Sequence, residues 1–426
     1  MLQVSFLREH RDQAIEGLRK RNYSDDQIQV VDQAIAIDDQ RKNAQTESDS
    51  VLADMNRLSK EIGDLMKSGK KAEGDGLKQK VAALKEHSKS LQIKQEEAQA
   101  QLEALLLTIP NIPHSSVPFG KTPEENEVFQ DWTKPFPELS ADAQPHWELA
   151  KKYNIFDLDL GVKITGAGFP VYRGKGARLE RALINFFLDE ATKAGYEEIV
   201  PPLLVNEASA RGTGQLPDKE GQMYYAEKDD LYLIPTAEVP LTNIYRDVIV
   251  SEKELPFKMT GYTPCFRREA GSYGAHVRGL NRVHQFDKVE IVQIAHPAQS
   301  YEILKTMIKH VSKILDKLEL PYRILRLCGG DMGFTSALTF DFEVYSAAQK
   351  RWLEVSSVSN FETYQTNRLK CRFRDANGKV HLAHSLNGSA LALARIVASL
   401  IENHQTAEGI LIPKALQKYT KFKVLN

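Results

Sequence analysis

The 426-residue chain contains only three cysteines, at positions 265, 328 and 371. Three scattered cysteines cannot form a disulfide framework, and none belongs to a Cys-x-x-Cys pair of the kind that holds zinc. Cys371 is followed by His381 and His384, but their spacing matches no standard zinc pattern. The cysteine usage therefore indicates a reducing compartment, in which the thiols simply pack as small side chains.

Long apolar runs and a strong net charge are also missing. No run of about 18 apolar residues occurs, so the sequence predicts no transmembrane helix. Residues 1–9 lack the basic start and apolar core of a signal peptide, which predicts a cytoplasmic protein. The formal net charge of −1 gives no sign of a nucleic-acid partner. The length predicts about two or three globular domains.

What the first quarter of the chain does have is a heptad pattern. Apolar and small residues follow an alternating spacing of four and three in two stretches. The members are Val51, Met55, Leu58, Ile62 and Leu65, then Leu77, Val81, Leu84, Ser88, Leu91, Gln95, Ala98, Leu102 and Leu105. A polar, Gly-rich segment at residues 68–76 separates them and predicts a tight reversal. The pattern predicts an antiparallel two-helix coiled coil with a reach of roughly 60 Å.

The charges of this hairpin are uneven. Between Arg57 and Lys94 ten lysines and arginines stand against five acidic residues. A charge run is most often a solvated helix face, and the hairpin could also be a rod that joins subunits. A basic region toward the tip nevertheless suits an RNA backbone better than a subunit contact. The prolines at positions 110 and 113 end the second helix, so we predict an arm at 1–108 and a second domain at 109–426.

The second domain alternates helices and strands without a repeating βαβ rhythm. This order predicts an α+β fold, with a mainly antiparallel sheet flanked by helices. The predicted strands are 196–205, interrupted by prolines, and 232–234, 262–269, 286–293, 322–327, 339–345, 352–357 and 369–374. Residues 179–193 are amphipathic and predict a helix, and the small residues at 388–394 are typical of a closely packed helix.

A charged hairpin is the most informative segment. If residues 263–269 are extended, the two-residue period places Arg267 and Glu269 on one face, together with Cys265. On the returning strand Phe286 and Glu290 share a face, so an aromatic ring and a carboxylate would enter one cleft. An amphipathic hairpin with solvent-facing charges is the alternative interpretation.

Three motifs carry a resemblance to a known family. Phe266-Arg-Arg-Glu269 with its loop and return strand resembles motif 2 of the class II aminoacyl-tRNA synthetases. Leu233-Ile-Pro-Thr-Ala-Glu238 resembles the serine-reading loop, and the segment from Asn387 to Arg395 resembles motif 3, of the bacterial seryl-tRNA synthetases. The resemblance runs along the whole chain.

The resemblance implies an activity and its partners. It implies a serine–tRNA ligase that joins L-serine to ATP as seryl-adenylate and transfers it to the 3′ end of tRNA(Ser), and also of tRNA(Sec). It implies a homodimer, Mg²⁺ as the cofactor, and an arm that grips the long variable arm of tRNA(Ser), often across the dimer, independently of the anticodon. Attack of a carboxylate on the α-phosphorus requires charge neutralisation, which favours arginines and a divalent metal over a general base.

The same resemblance implies roles for individual residues. Arg267 and Arg395 are assigned to catalysis, and Arg278 to a distal phosphate. The serine-binding set is Thr236, Ala237, Glu238, Arg267, Glu290 and Ser389. The ATP-binding set is Arg267, Arg268, Glu269, Val283, Phe286, Glu354, Val355, Ser356, Ser357 and Arg395. The metal set is Glu343, Glu354 and Ser357, because carboxylates facing polyphosphate need a cation between them.

Two segments depart from the family pattern, and other functions remain open. The loop at 274–277 lacks the charged residues that many relatives have there, and residues 360–368 keep only part of the usual pattern. A class I synthetase is excluded, because Lys258-Met-Thr has no His-x-Gly-His partner. A class II-like ligase acting on another carrier, or a non-catalytic coiled-coil interaction protein, remains the alternative. The first would lack the arm, and the second would have lost Arg267, Glu269 or Arg395.

Overall fold

The computed structural model describes residues 1–218, 220–269 and 278–426. They form two compact units, the first made of residues 1–19 and 23–110, the second of 20–22 and 111–426. The unusual loop at 274–277 lies outside the described residues. Among the described helices none is long and apolar enough to cross a membrane.

The first unit is helical, as the heptads predict. Its helices are α1 (Val4–Glu9), α2 (Arg11–Lys20), α3 (Asp25–Ile28), α4 (Val30–Lys67) and α5 (Lys71–Leu106). Every residue of the predicted seam is buried or half-buried, so α4 and α5 close the seam against each other. The arm contains its own apolar core, a narrow one.

The reversal of the arm is shorter than the sequence predicts. Residues 68–70 make the turn, and α5 already begins at Lys71, so the Gly-rich segment is mostly helical. Gly74 lies against Met66, where an added Cβ would stand 3.3 Å from the sulfur. Close packing between the helices therefore offsets the cost of about 1 kcal/mol that a glycine brings to a helix interior.

The second unit contains the remaining helices and all described strands. The helices are α6 (His146–Tyr153), α7 (Leu158–Ile164), α8 (Gly174–Lys193), α9 (Glu207–Thr213), α10 (Glu238–Asn243), α11 (Ser300–Lys317), α12 (Tyr364–Leu369), α13 (Leu393–Asn403) and α14 (Lys414–Thr420). The strands are β1 (Glu127–Gln130), β2 (Phe156–Asp157), β3 (Val171–Tyr172), β4 (Glu197–Glu198), β5 (Leu204–Val205), β6 (Tyr225–Ala226), β7 (Leu231–Leu233), β8 (Ile249–Ser251), β9 (Phe257–Phe266), β10 (Gln285–Ala295), β11 (Tyr322–Arg326), β12 (Leu338–Ser346), β13 (Arg351–Glu362), β14 (Arg372–Arg374), β15 (Val380–Leu382), β16 (His384–Ala392), β17 (Gln405–Thr406), β18 (Gly409–Leu411) and β19 (Val424–Leu425).

An eight-stranded sheet organises this unit. Its order is β1-β11-β12-β13-β16-β10-β9-β4, and all its pairs are antiparallel except β4 with β9. The large apolar core joins the sheet to α8, α11 and α13. These findings confirm the predicted α+β class, a mainly antiparallel sheet flanked by helices.

Strand β10 shows how the sheet separates core from cleft. Val289 and Ile291 enter the large core, whereas Phe286, Lys288 and Glu290 line a cleft. The alternation follows from the two-residue period of a strand. Helices therefore cover one face of the sheet, and the other face is open beside Phe286, Lys288 and Glu290. Further along the same face, Val292 and Ile294 pack into a second core that includes Leu241 of α10.

Three predicted elements differ from the observed ones. The strand predicted at 262–269 ends at Phe266, and the segment 369–374 begins as the end of α12. The small residues at 388–394 do not form one helix, because they complete the central strand β16 before α13 begins at Leu393. Gly388 lies opposite Val358, where an added Cβ would approach to 3.1 Å. A strand buried on both faces lacks polar alternation, which makes it hard to tell from a buried helix.

Candidate active site

A cleft of about 600 Å³ opens on the exposed face of the sheet. It lies where β9 ends, beside β10, β13 and β16, and at the starts of α10 and α13. Most of the site residues predicted from sequence meet there: Thr236, Glu238, Arg267, Glu269, Val283, Phe286, Glu290, Glu354, Val355, Ser356, Ser357, Ser389 and Arg395. Their roles stay predictions, but their convergence is an observation.

One end of the cleft holds a buried ion pair. Glu290 is 2% exposed, and its Oε2 lies 2.7 Å from Lys288 Nζ. The hydroxyl of Thr236 donates to the same oxygen at 3.2 Å. Both of these contacts are made to Oε2 and not to Oε1. A buried carboxylate with one oxygen held and one available is suited to accept a bond from a small hydroxyl.

A second buried carboxylate, Glu238, lies at the same end. The pKa of Glu238 is raised to about 7, because burial and then the nearby Glu290 disfavour its charged form. Gln365 opposes this by donating from Nε2 to Glu238 Oε1 at 2.7 Å. The amide of Gln365 is in turn oriented by Ser385, whose hydroxyl donates to Oε1 at 2.7 Å. A cationic ligand would complete the charge balance of this group.

The other end of the cleft presents an aromatic ring and arginines. The Arg267 guanidinium lies 5.3 Å from the centre of the Phe286 ring, and its Nε donates to the carbonyl of Pro235 at 3.3 Å. Glu269 pairs with Arg282 at 2.7 Å, and both line the cleft. A planar base carrying phosphates matches this combination of ring face and positive charge.

Arg395 closes this end from the first turns of α13. Its Nε donates to the carbonyl of Asn281 at 2.9 Å, and its Nη1 donates to the carbonyl of Glu354 at 2.7 Å. The Glu354 carboxylate lies 3.5 Å from the same Nη1. Arg395 therefore links the strand β13 to the segment that precedes β10, and it fixes the width of the cleft at this end.

The predicted metal set is only partly brought together. Glu354 and Ser357 line the cleft. Glu343 stands opposite Glu354 in the sheet register, but its carboxylate pairs with Arg323 at 2.6 Å and it is not part of the cleft lining. Asp341 stands opposite Ser357 in the sheet register. Burial and then Glu354 raise the pKa of Asp341 well above its usual range. Its Oδ1 has no hydrogen-bond partner among the described residues.

Metal-binding groups of three or more His, Cys, Asp or Glu do not occur in the described part of the chain. Mg²⁺ needs no such group, since one or two carboxylates with substrate phosphates usually hold it. Glu354 and Ser357 fit that requirement, with the unpartnered Asp341 oxygen behind them. The Glu343 carboxylate pairs with Arg323 instead, so its part in the metal set stays a prediction.

Three other residues named from sequence lie outside the cleft lining. Ala237 is buried in a small core beside α10. The Arg268 guanidinium lies 5.6 Å from the Tyr224 ring centre. Arg278 pairs with Glu148 at 3.3 Å. These positions do not place Arg268 or Arg278 on a nucleotide in the described conformation.

Sequence reasoning also missed residues of the site. Lys288 shares the two-residue period with Phe286 and Glu290, so the pattern could have identified it. Gln365 and Asn281 had no such signal, because their partners are distant in the sequence.

The fold and the cleft together define a class of protein. Residues 223–404 match the family model described as the tRNA synthetase class II core domain (G, H, P, S and T). Residues 1–113 match the model of the seryl-tRNA synthetase N-terminal domain. The chain is thus a class II aminoacyl-tRNA ligase, the enzyme class predicted from sequence.

Comparison with individual relatives identifies the family within this class. The serine–tRNA ligase of Salinibacter ruber is 49% identical over 99% of this chain and 98% of its own length, and that of Chlorobaculum parvum is 44% identical over 100% of both. Among solved structures, seryl-tRNA synthetase from Pyrococcus horikoshii complexed with ATP has a TM-score of 0.94 at 32% identity, covering 100% of this chain and 99% of that one. The chain belongs to the seryl-tRNA synthetase family, which confirms the resemblance seen in the motifs.

Proposed function

We propose that the chain activates L-serine with ATP and transfers the seryl group from the adenylate to the 3′ end of tRNA(Ser), and also of tRNA(Sec). The observation that carries this proposal is the position of Arg267. It lines the cleft beside the ring of Phe286, and its Nε donates to the carbonyl of Pro235, the residue before Thr236 at the serine end. One guanidinium is therefore near both the nucleotide end and the amino-acid end. The Pyrococcus structure contains ATP and one from Naegleria fowleri contains AMP, which supports ATP as the substrate.

Arg267 would neutralise the two anions that must react. The serine carboxylate attacks the α-phosphorus of ATP, an oxygen–phosphorus bond forms, and pyrophosphate leaves with the bonding electron pair. Both groups are negative, so their approach requires a shared counter-charge and alignment. Arg395 would act from the opposite side of the nucleotide. Phe286, Val283 and Glu269 would hold the base, and Arg268 would act only after moving into the cleft.

Serine would be selected at the buried carboxylates. Glu290 Oε1 would accept from the serine hydroxyl, near Ser389, which stands opposite Glu290 in the sheet register. Alanine cannot make this bond, and a buried acceptor left unpaired costs about 1–3 kcal/mol. Glu238 and Thr236 would bind the serine ammonium group, while the buried Ala237 would only support their backbone. Larger side chains would clash with the wall of the cleft.

Mg²⁺ would bind between the triphosphate and β13. Glu354 and Ser357 are the residues that would hold it. The metal supplies charge neutralisation of the leaving pyrophosphate when bound. Arg395 keeps the Glu354 backbone in place through its bond to the carbonyl.

The arm would bind tRNA, as the sequence predicts for residues 1–108. Its ten basic residues between Arg57 and Lys94 would contact the phosphate backbone of the long variable arm, and the affinity would fall as a power of the salt concentration. Deleting residues 41–100 and closing the gap with a short Gly-Ser linker should abolish tRNA charging but keep serine activation. Undiminished charging would reject the RNA role and support a structural rod.

A second copy of the chain would cover an exposed apolar stretch. Val200 is 88% exposed, and Leu203 and Leu204 are also exposed beside the edge strand β4. Isolated apolar residues are ordinary on surfaces, but a cluster at a sheet edge is typical of a protein interface. This supports the proposed homodimer, which would work in the cytoplasm.

The activity is tested by pyrophosphate exchange across the amino acids. We expect exchange that depends on serine and ATP, followed by charging of tRNA(Ser) but not of a carrier protein. Exchange with another amino acid, or serine transfer to a protein carrier, would overturn the proposal in favour of the class II-like ligase. Absence of any exchange would favour a non-catalytic coiled-coil protein.

A further inference from the structure

We propose that His146 is a positioning residue of the nucleotide site, because it holds the backbone at Leu280 and so fixes the segment 278–283, of which residues 280–283 wall the cleft. This inference rests on the function proposed above. His146 is the first residue of α6 and is 0% exposed. It is not part of the cleft lining, so it acts through the segment that it holds.

The hydrogen bonds of His146 define its tautomer. The backbone N–H of Leu280 donates to Nε2 at 2.9 Å, so Nε2 must be an acceptor without a proton. Nδ1 lies 2.6 Å from Glu402 Oε1, where it can only donate. His146 is therefore a neutral imidazole with its proton on Nδ1. Protonation of Nε2 would remove the acceptor that Leu280 needs.

Glu402 is the fixed point of this arrangement. It is a fully buried residue of α13, and its Oε1 accepts from both Nδ1 and the backbone N–H of His146. The same oxygen accepts from Gln349 Nε2 at 2.9 Å. Asn281 then donates from Nδ2 to Gln349 Oε1 at 3.1 Å. Asn281, which follows Leu280, is thus linked through Gln349 to the Glu402 carboxylate.

The start of α6 also fits closely around the neighbouring residues. Gly279 has φ +70, and an added Cβ would lie 2.1 Å from His146 Nε2. Arg278 lies over the Trp147 ring, with 4.7 Å to its centre, and pairs with Glu148. Three consecutive residues of α6 therefore hold Arg278 and Leu280, and Gly279 between them packs against His146. This geometry requires glycine at position 279.

The held segment leads directly to the nucleotide end of the cleft. Leu280, Asn281, Arg282 and Val283 all line it, and the carbonyl of Asn281 accepts from Arg395. Release of Leu280 would therefore loosen the wall of the nucleotide end and one anchor of Arg395. The buried carboxylates at the serine end bond to Lys288, Thr236 and Gln365, so they would keep their positions.

Two amide substitutions test the two imidazole nitrogens of His146 one at a time. His146→Gln places an amide oxygen near the position of Nε2, where it can accept from Leu280. His146→Asn reaches only the Nδ1 position, so it can donate to Glu402 but leaves Leu280 unpaired. In pyrophosphate exchange we expect His146→Asn to raise the KM for ATP about 10-fold, with the KM for serine within about twofold, as loss of one positioning bond implies. His146→Gln should restore most of the ATP affinity.

Hydrogen exchange supplies a readout that needs no activity. Backbone amide exchange of residues 278–283, measured in the full-length protein without substrates, should be faster in His146→Asn than in wild type and close to wild type in His146→Gln. His381→Asn is the matched control, since His381 bonds Asp375 outside the cleft. It should alter neither KM value. If His146→Asn does not fold, Gln349→Leu, which cuts the link to Asn281, should give a smaller rise in the KM for ATP.

Several outcomes would overturn the inference. Equal effects of the Gln and Asn variants would show that Nε2 is not the functional acceptor. A parallel rise in the KM for serine would indicate general destabilisation instead of positioning, and unchanged amide exchange in His146→Asn would reject the anchor. An unchanged KM for ATP in Gln349→Leu would also reject the role of His146 and Glu402 in anchoring this segment. An inactive wild-type protein would refute the proposed function, while the exchange measurement would still decide the role of His146.

Discussion

The two ends of the cleft are built from different kinds of contact. The serine end consists of side chains buried on β10, α10 and α12, in which carboxylates face a lysine, a hydroxyl and an amide. The nucleotide end consists of a ring and of arginines that donate to backbone carbonyls. A buried network fixes geometry and rejects a wrong ligand, because its unpaired groups are costly. An open array of arginines tolerates a large, hydrated polyanion.

Arg267 is the exception to this contrast between the two ends of the cleft, because it lies near both of them. Arg267→Ala should reduce pyrophosphate exchange about 10³-fold or more, because both reacting anions lose their counter-charge. The measurement is serine-dependent exchange at saturating ATP and serine, with circular dichroism as the folding control. A rate near that of wild type would remove Arg267 from the chemistry.

Glu290 should affect only the serine end. Glu290→Gln should lower kcat/KM for serine roughly 100-fold, as loss of a charged acceptor implies, with the KM for ATP little changed. The Gln variant is preferable to Ala, because it keeps the volume of the side chain and an oxygen that can accept from Lys288 and Thr236, whereas Ala leaves both unpaired. Glu290→Gln combined with Lys288→Met removes both charges and serves as the matched control for folding. A loss confined to ATP would move Glu290 to the nucleotide end.

The ionisation of Glu238 should make the serine end sensitive to pH. Its pKa of about 7 predicts that kcat/KM for serine falls as the pH drops through neutrality, because the protonated acid cannot pair with an ammonium group. Gln365→Leu removes a donor to the charged form, so the fall should begin at higher pH and reach about 10-fold at pH 7. A pH profile identical to wild type would contradict this.

The same group predicts the sign of a stability effect. The folded-state pKa of Glu238 lies above its unfolded value, so the folded protein binds this proton more tightly. This contribution to stability is fully present below the unfolded pKa and is lost as the pH rises through about 7. Serine should therefore stabilise the protein against heat more strongly at alkaline pH than at acid pH, as seen by thermal unfolding.

The smallest expected effect is a change in the Mg²⁺ concentration that the enzyme requires. Glu354→Gln should raise the Mg²⁺ concentration needed for half-maximal exchange about fivefold, since phosphates and Ser357 would still hold the ion. Glu343→Gln is the matched control, because its carboxylate pairs with Arg323 away from the cleft. An equal effect of both variants would return Glu343 to the metal site.

Prediction from the sequence succeeded where a regular spacing relates residues that are close together along the chain. The heptads located the seam of the arm, and the two-residue period located Phe286 and Glu290 in one cleft. Periodicity failed at β16, because small residues buried on both faces have no polar alternation. It also gave no sign of His146, Glu402 or Gln365. His146 is more than a hundred residues from both Leu280 and Glu402, and Gln365 is as far from Glu238, so only the folded chain brings these partners together.

Strand β10 places residues that support folding and residues that face the substrate space on opposite sides, so stability and substrate choice depend on different positions. Its odd-numbered residues Val289 and Ile291 support the folded state, whereas Phe286, Lys288 and Glu290 contact the space where substrates would lie. A library that varies Phe286, and that varies Lys288 and Glu290 only as a pair, should therefore sample new amino-acid preferences while most members remain folded. Varying the odd positions should instead produce insoluble protein of unchanged preference. Tolerance to substitution should end at Val292 and Ile294, which are even-numbered but fully buried in the second core.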